Sequence, residues 1–188
     1  MKTIKFLFLT ALTGILFSCS SDDDATPDPI NEEEVITTLN VTLSPNGGGT
    51  NIVLTSVDLD GDGPNDPVIN GGILAANTTY TGSIVALNEL ENPAEDITEE
   101  VAEEDDEHQF FFQPVDGVEI TTTYVDFDDD GNPLGINFTL TTGDASDGTL
   151  RITLRHLLDK FAAGVSGGDI TNAGGDTDVE VDYPITIQ

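Results

Sequence analysis

Residues 118–127 of the chain are VEITTTYVDF, and residues 135–142 are GINFTLTT. In both segments large apolar side chains alternate with small polar ones at a period of two, which is typical of antiparallel strands that bury one face. Similar runs, divided by Gly, Asn, Asp and Pro, cover residues 35–43, 51–59, 80–88, 108–113, 150–154 and 178–187. About eight short strands with turns between them predict an all-β domain, either an antiparallel β-sandwich or a small barrel.

Two further segments predict short helices. Asn92, Pro93 and Glu95 have the order of an N-cap, a first helical residue and an N3 residue ahead of residues 96–106. Acidic side chains crowd the far end of that segment and oppose the helix dipole, so the helix is expected to be short. Residues 157–163 form the second candidate, which Gly164 is expected to end.

The composition limits both size and partners. A chain of 188 residues suffices for one domain. It carries 36 acidic side chains against 5 Lys and Arg, a formal net charge of -31. Binding to nucleic acid by neutralising phosphates requires a basic face, and so does binding to anionic lipid by charge alone. The sequence therefore excludes both classes of partner.

The N-terminal residues have the pattern of an export signal. Two lysines precede an apolar stretch at residues 6–17, which is shorter than the ~20 residues of a membrane-spanning helix. The following tetrapeptide at residues 16–19, LFSC, resembles the lipobox of bacterial lipoproteins. That resemblance implies that residues 1–18 are a signal peptide and that Cys19 is the acylated first residue of the mature chain.

Residues 20–24, SSDDD, resemble the export signal of Bacteroidetes-type surface lipoproteins. The resemblance implies a protein anchored by lipid in the outer membrane and exposed at the cell surface. Residues 19–34 are acidic and polar and have little to bury, which predicts a disordered tether. Residues 35–188 are then the folded domain, which contains no cysteine and hence no disulfide.

The chain as a whole resembles a small family of Bacteroidetes-type surface or outer-membrane lipoproteins of unknown biochemical role. The segments EHQFF at residues 107–111 and GGDTDV at residues 174–179 carry this resemblance. The family label implies a type 1 periplasmic-binding fold, which requires two lobes of alternating strands and helices. This chain is too short and too poor in helix for that fold, so the β-sandwich remains our prediction.

The acidic loop at residues 58–66, DLDGDGPND, is a candidate calcium site. Ca²⁺ takes six to eight oxygen ligands, and aspartates at alternate positions around a glycine turn can supply several of them. The spacing resembles thrombospondin type 3 and dockerin-like calcium loops, although position 69 is isoleucine where a later acidic ligand would stand. The alternative is a solvated acidic turn. The candidate ligands are Asp58, Asp60, Asp62 and Asp66.

A second acidic loop contains Asp126, Asp128 and Asp130, followed by Gly131. This order resembles the opening of an EF-hand loop and predicts a further calcium site. The twelfth position is Asn137, so the bidentate glutamate of an EF-hand is missing. A hairpin turn is the alternative interpretation.

The two histidines, His108 and His156, are candidate ligands for Zn²⁺ or another transition metal together with a nearby acid. No histidine or cysteine pair at a fixed spacing defines the geometry of such a site. The alternative for His108 is a structural role, since it shares a strand face with Phe110 and Phe112.

Three cations, Arg151, Arg155 and Lys160, lie within ten residues of one another in a strongly acidic chain. We expect them to form structural ion pairs. A pocket for an anionic ligand at Arg151 and Arg155 is the alternative, because arginine suits the recognition of carboxylates.

The sequence contains none of the enzyme motifs GxSxG, HExxH or the phosphate-binding loop. We therefore predict a non-enzymatic surface lipoprotein that binds metal ions or a small ligand as an accessory to an outer-membrane receptor. The first alternative is a calcium-stabilised adhesion or glycan-binding module. A more remote alternative is a hydrolase that depends on a carboxylate pair.

Overall fold

A computed structural model describes residues 34–61 and 63–188 of the chain. Besides its strands, this part of the chain contains the helix α1 (Ile97–Glu103) and two short 3-10 helices, Val165–Gly167 and Ile170–Asn172. The strands are β1 (Thr38–Pro45), β2 (Ile52–Val57), β3 (Val68–Asn70), β4 (Gly72–Leu74), β5 (Thr79–Asn88), β6 (Glu95–Asp96), β7 (His108–Val115), β8 (Ile120–Tyr124), β9 (Asn137–Thr142), β10 (Ser146–His156) and β11 (Asp176–Ile187).

The strands form two sheets. The larger has the order β3-β2-β1-β5-β9-β8, with β6 paired to β5, and the smaller has the order β4-β11-β10-β7. Every pairing is antiparallel except that of β4 with β11, which is parallel. In neither order does the last strand return to the first, so neither sheet closes. The prediction of an all-β, sandwich-like fold is confirmed.

Each predicted strand run overlaps an observed strand. In β9 the side chains of Phe138 and Leu140 are buried, whereas Asn137 and Thr141 are exposed, as the alternation predicts. The sequence missed β3, β4 and β6, because two or three residues are too few to show a period.

The predicted helices need correction. Helix α1 begins at Ile97, and the side chain of Asp96 caps it by accepting a hydrogen bond from the Thr98 N–H at 3.0 Å, so Asn92 is not the N-cap. Residues 157–163 form bends and turns and no helix. Leu157 has a left-handed φ of 51°, which is incompatible with the first turn of a helix.

The hydrophobic core lies between the two sheets. On the inward face of β7 and β10, Phe112 pairs with Ile152 and Phe110 pairs with Leu154. The next inward pair along the same two strands is His108 with His156. The two histidines therefore occupy the end of an otherwise apolar ladder.

A β-bulge interrupts β11 close to this histidine pair. Leu154 of β10 pairs with Val179, but the next residue, Arg155, pairs with Thr177. Asp178 is thus the extra residue of the bulge. A bulge re-aims a side chain relative to a regular strand, and the Asp178 side chain is fully buried.

The described residues from Glu34 to Gln188 form one compact unit. The side chain of Glu34 is 4 % exposed, so this residue belongs to the folded domain, one residue earlier than the boundary predicted from the sequence. The predicted signal peptide, the acylated Cys19 and the rest of the predicted tether lie outside the described residues. Within the described residues no helix is long and apolar enough to cross a membrane.

Candidate metal centre

Four side chains converge at the end of the apolar ladder: Glu34, His108, His156 and Asp178, which we call the four-residue cluster. Each offers a nitrogen or oxygen ligand atom, and these atoms lie within 4.8 Å of one another. The cluster can hold a metal ion, because imidazole nitrogens and carboxylate oxygens are common metal ligands in proteins.

Three neighbouring strands and one preceding segment build the cluster. His108 is the first residue of β7, His156 is the last residue of β10, and Asp178 is the bulge residue of β11. Glu34 comes from the segment before β1, a strand of the other sheet. The cluster therefore joins elements associated with both sheets.

Each of the two carboxylates contacts both imidazole rings. Oε1 of Glu34 lies 2.9 Å from Nε2 of His108, and Oε2 of Glu34 lies 3.2 Å from Nδ1 of His156. Asp178 repeats this arrangement, with Oδ2 at 3.8 Å from Nε2 of His108 and Oδ1 at 3.8 Å from Nδ1 of His156. Each carboxylate thus presents one oxygen to each ring.

A backbone contact sets the tautomer of His108. Its Nδ1 lies 3.1 Å from the carbonyl oxygen of Glu104, and a carbonyl can only accept a hydrogen bond. Nδ1 therefore carries a proton, and in the neutral ring Nε2 holds a lone pair that faces the Glu34 and Asp178 carboxylates. Such a fixed tautomer is common in metal-binding histidines, whose second nitrogen donates to a carbonyl or carboxylate.

Several inward-facing ligand atoms of the cluster have no hydrogen-bond partner within the described residues, namely Nε2 of His108, Nδ1 of His156 and Oε2 of Glu34. The side chain of His108 is fully buried and that of His156 is 3 % exposed. Leaving buried polar groups of this kind unsatisfied costs about 1–3 kcal/mol each, and more for a charged group. A bound cation would satisfy them together.

The spacing of the ligand atoms suits a transition metal. Metal–nitrogen and metal–oxygen bonds of about 2.0–2.2 Å place neighbouring ligands of a tetrahedral ion about 3.3 Å apart. The nitrogen–oxygen distances of the cluster, from 2.9 to 3.8 Å, lie on both sides of that value.

A second group of acids lies beside the cluster. Glu104, Glu107 and His156 also bring ligand atoms within 4.8 Å of one another, and Oε2 of Glu107 lies 3.5 Å from Nε2 of His156. The pKa of Glu100 is raised, first by desolvation and then by the negative charges of Glu34, Glu95 and Glu104. The negative potential here favours a cation.

No protein-family model, curated protein or solved structure matches the chain. The functional conclusion therefore depends on the chemistry of the site itself.

The first predicted calcium loop is exposed where it is described. Oδ1 of Asp58 accepts a hydrogen bond from the Asp60 N–H at 3.3 Å, and Oδ2 of Asp60 accepts one from the Asn65 side chain at 2.7 Å. Asp66 is exposed, and Asp62 lies outside the described residues. Among the residues that are described, the aspartates of this loop form no cluster of three ligand atoms.

In the second predicted calcium loop the carboxylates bind the loop's own backbone. Oδ1 of Asp126 accepts from the Gly135 N–H at 2.8 Å, and Oδ2 accepts from the Asn137 N–H at 2.6 Å. Oδ1 of Asp128 accepts from the Asn132 N–H at 2.7 Å. Asp130 is exposed. This described loop also lacks a three-ligand cluster, and internal hydrogen bonds hold it together.

Lys160 lies outside the second loop in the sequence, but its ammonium group contacts residues of that loop. Its ammonium group lies 3.1 Å from Oδ2 of Asp128 and 2.9 Å from the carbonyl oxygen of Pro133, and it also donates to the carbonyl of Asp105. Both charged side chains of the Lys160–Asp128 pair are 2 % exposed. A buried ammonium at this carboxylate opposes the entry of a second cation.

Arg151 pairs with acidic residues, as expected from the sequence. Its guanidinium donates two hydrogen bonds to Asp182, at 2.7 and 2.8 Å, and lies 3.5 Å from Oε1 of Glu180. Arg155 donates to the carbonyl of Gly175 at 3.3 Å. These contacts lie on the two central strands of the smaller sheet, β10 and β11, and the anion pocket at Arg151 and Arg155 stays a prediction.

The sequence analysis named both histidines but missed their acidic partners. Glu34 ends a run of three glutamates within the predicted tether, so nothing distinguishes it from its neighbours. In a regular strand with Val179 and Val181 facing the core, the Asp178 side chain would face outward. The bulge at Asp178 turns that side chain inward, and the bulge has no clear pattern in the sequence. Glu107 follows an acidic run of the same kind.

Proposed function

We propose that this protein is a surface lipoprotein that captures divalent transition-metal ions as a non-enzymatic accessory to an outer-membrane receptor. Cys19 is its proposed acylated anchor, and the four-residue cluster is its proposed metal site. The observation that carries the proposal is the buried Nε2 atom of His108, which has no hydrogen-bond partner among the described residues although the Glu34 carboxylate lies 2.9 Å from it.

The donor set supports a transition metal over calcium. Ca²⁺ prefers oxygen ligands alone, whereas Zn²⁺ and its first-row neighbours accept imidazole and carboxylate together. Divalent cations also offset the negative charges of the two carboxylates, which reduces the cost of burying the acids.

The arrangement of the cluster supports capture and release. Glu34 and Glu107 approach the histidines from segments outside the sheet, and the Glu107 side chain is 46 % exposed. The exposed Glu107 carboxylate thus offers an approach to His156 that does not pass through the β-sheets. A carrier that hands its ion to a receptor needs such an accessible side.

The alternative function, a calcium-stabilised adhesion or glycan-binding module, has weaker support. In the described part of the acidic loops the carboxylates of Asp60, Asp126 and Asp128 already accept hydrogen bonds from the chain. A calcium ion would have to share those oxygens with the present donors, and at Asp128 it would be repelled by the ammonium of Lys160.

Isothermal titration of the metal-stripped mature protein tests the metal site. We expect Zn²⁺ to bind to the wild-type protein, and His108→Ala and Glu34→Gln to weaken that binding at least about 100-fold, since outer-shell changes alone cost 10–100-fold. Glu103→Gln, which changes an exposed carboxylate at the end of α1, is the matched control and should bind as the wild type does.

Circular dichroism must show that each variant is folded. Equal Zn²⁺ affinity in His108→Ala and the wild type would contradict the proposal. A thermal shift with Ca²⁺ but not Zn²⁺, lost in Asp60→Ala, would favour the adhesion module instead.

Labelling with radioactive palmitate, absent in Cys19→Ala, tests the anchor.

A further inference from the structure

We infer that the four-residue cluster binds two divalent first-row transition-metal ions side by side, with Glu34 and Asp178 as bridging carboxylates and one histidine on each ion. This inference rests on the proposed metal-binding function and specifies the stoichiometry and the ligand layout of that site. It comes from the relative orientation of the two imidazole rings and from the atom-by-atom pairing of the carboxylates.

The rings of His108 and His156 are stacked. Their centroids are 4.3 Å apart and their planes are inclined by 20°. An imidazole nitrogen directs its lone pair within the plane of the ring, and the metal bond is about 2.0–2.1 Å long. The ring centroids are too far apart, and the ring planes too nearly parallel, for the two planes to meet within one such bond length. The two rings therefore cannot both direct a lone pair at one ion.

Stacked rings can instead direct their lone pairs at two neighbouring ions. If each ion lies in the plane of its own ring, the ions are separated by about the spacing of the rings. Two-metal centres in proteins have ions about 3.5–4 Å apart. The stacking distance of 4.3 Å is close to that range.

The carboxylates have the arrangement that a bridge requires. Glu34 presents Oε1 to His108 and Oε2 to His156, and Asp178 presents Oδ2 to His108 and Oδ1 to His156. Each ion would therefore receive one nitrogen and two oxygens, with one oxygen from each acid. Glu34 Oε1 is 2.9 Å from His108 Nε2 without making a hydrogen bond, as expected of two ligands that surround an ion.

The outer nitrogens of both rings face acceptors. Nδ1 of His108 lies 3.1 Å from the Glu104 carbonyl oxygen, and Nε2 of His156 lies 3.5 Å from Oε2 of Glu107. These acceptors favour the tautomers that leave both inner nitrogens bare. The carboxylates of Glu34, Asp178, Glu104 and Glu107 carry four negative charges in total, which balance two divalent ions.

Metal counting on the full mature chain tests the inference. Metal-stripped protein is dialysed against Mn²⁺ alone, and bound metal is measured by mass spectrometry. We expect two ions per chain in the wild type and in Glu103→Gln, and a fall from two to one or none in His156→Ala and in His108→Ala. Electron paramagnetic resonance of the loaded wild type should show exchange coupling, because bridging carboxylates connect the two spins.

The other outcomes are distinct. One ion per chain in the wild type, lost in either histidine variant, overturns the paired site and leaves the proposed metal-binding function intact. Two ions that persist in His156→Ala and that are lost in Asp126→Asn place the second ion in an acidic loop and overturn the inference. Two ions without exchange coupling overturn the bridge. No bound Mn²⁺ and no bound Zn²⁺ overturn both proposals.

Discussion

At the scale of single residues, Lys160 is the clearest structural cation of the domain. It is buried together with Asp128 and donates to two backbone carbonyls. We predict that Lys160→Met destabilises the protein by about 3–5 kcal/mol, because it leaves a buried carboxylate without its partner. Urea denaturation followed by circular dichroism measures this change in the free energy of unfolding.

Arg151→Met is the matched control for that substitution. It also removes a cation from an ion pair with an aspartate, but Arg151 and Asp182 are 37 % and 48 % exposed. Exposed pairs contribute less than about 1 kcal/mol. Equal and small effects of the two substitutions would contradict the structural role assigned to Lys160.

Asp128 should make the stability depend on pH. Burial alone would raise its pKa, but hydrogen bonds from Asn132 and the ammonium of Lys160 outweigh burial and hold the pKa below its ordinary value of 3.8. A carboxyl whose pKa is lower in the folded state stabilises the fold above the ordinary pKa, and this contribution is lost as the pH falls from that value through the lower pKa of the folded state.

We therefore expect Asp128→Asn to be less stable than the wild type at pH 7 and to approach it as the pH falls below about 4. Urea denaturation of both proteins across this range gives the difference in free energy of unfolding at each pH. A difference that stays constant down to the lowest pH would be inconsistent with the lowered pKa.

The four-residue cluster shows how far single residues can be interpreted from sequence. His108 was predicted to share a strand face with Phe110 and Phe112, and it does. Its partner His156 is 48 positions away, and only the pairing of β7 with β10 brings them together. The positions of Glu34 and Asp178 depend on tertiary structure still more. Glu34 lies in the segment before β1, and Asp178 lies at the bulge of β11.

At the scale of elements, the pairing of β5 with β9 depends on a glycine. Gly82 lies opposite Phe138, and a Cβ atom at Gly82 would be 2.4 Å from Cζ of that ring. We predict that Gly82→Ala destabilises the protein by about 1–3 kcal/mol, since overpacking forces the ring off its position. Thermal and urea denaturation would show the loss.

Gly47→Ala is the control for this prediction. Gly47 has no heavy atom within 4 Å of the position of an added Cβ, so the change should alter stability by less than about 0.5 kcal/mol. Equal stability of Gly82→Ala and Gly47→Ala would contradict the close packing of the Phe138 ring against the backbone of Gly82.

The strands were predictable to the extent that they repeat a pattern. In β8 and β9 one buried and one exposed face gave a period of two, and turn residues separated the runs. The helix boundary was wrong because two capping patterns compete, and Asp96 rather than Asn92 supplies the cap. The parallel pairing of β4 with β11 has no local signal, since it joins residues more than a hundred positions apart.

At the scale of the whole molecule, negative charge dominates the electrostatics. The chain carries 36 acidic side chains and a formal net charge of -31. Repulsion among them opposes compaction. We predict that the melting temperature of the metal-stripped protein rises by several degrees between about 0.01 M and 0.15 M salt, because the Debye length falls from about 30 Å to about 8 Å.

Scanning calorimetry in chelator at constant pH measures this effect. The Lys160→Met variant should keep the same salt dependence, because its buried pair is screened far less than the surface acids. A melting temperature that does not change with salt would mean that local pairing already cancels the repulsion.

Glu34 stands four positions ahead of β1 while its carboxylate reaches the histidines of the opposite sheet. If the chain is anchored through Cys19, any pull from the membrane side arrives at Glu34 before it arrives at a strand. Ions bound at the four-residue cluster would then hold the segment before β1 to the opposite sheet. Tension on that segment would have to break the metal bonds before it could separate β1 from its neighbouring strands. Bound ions would therefore raise the force that the domain withstands, and tension would in turn weaken its hold on the ions.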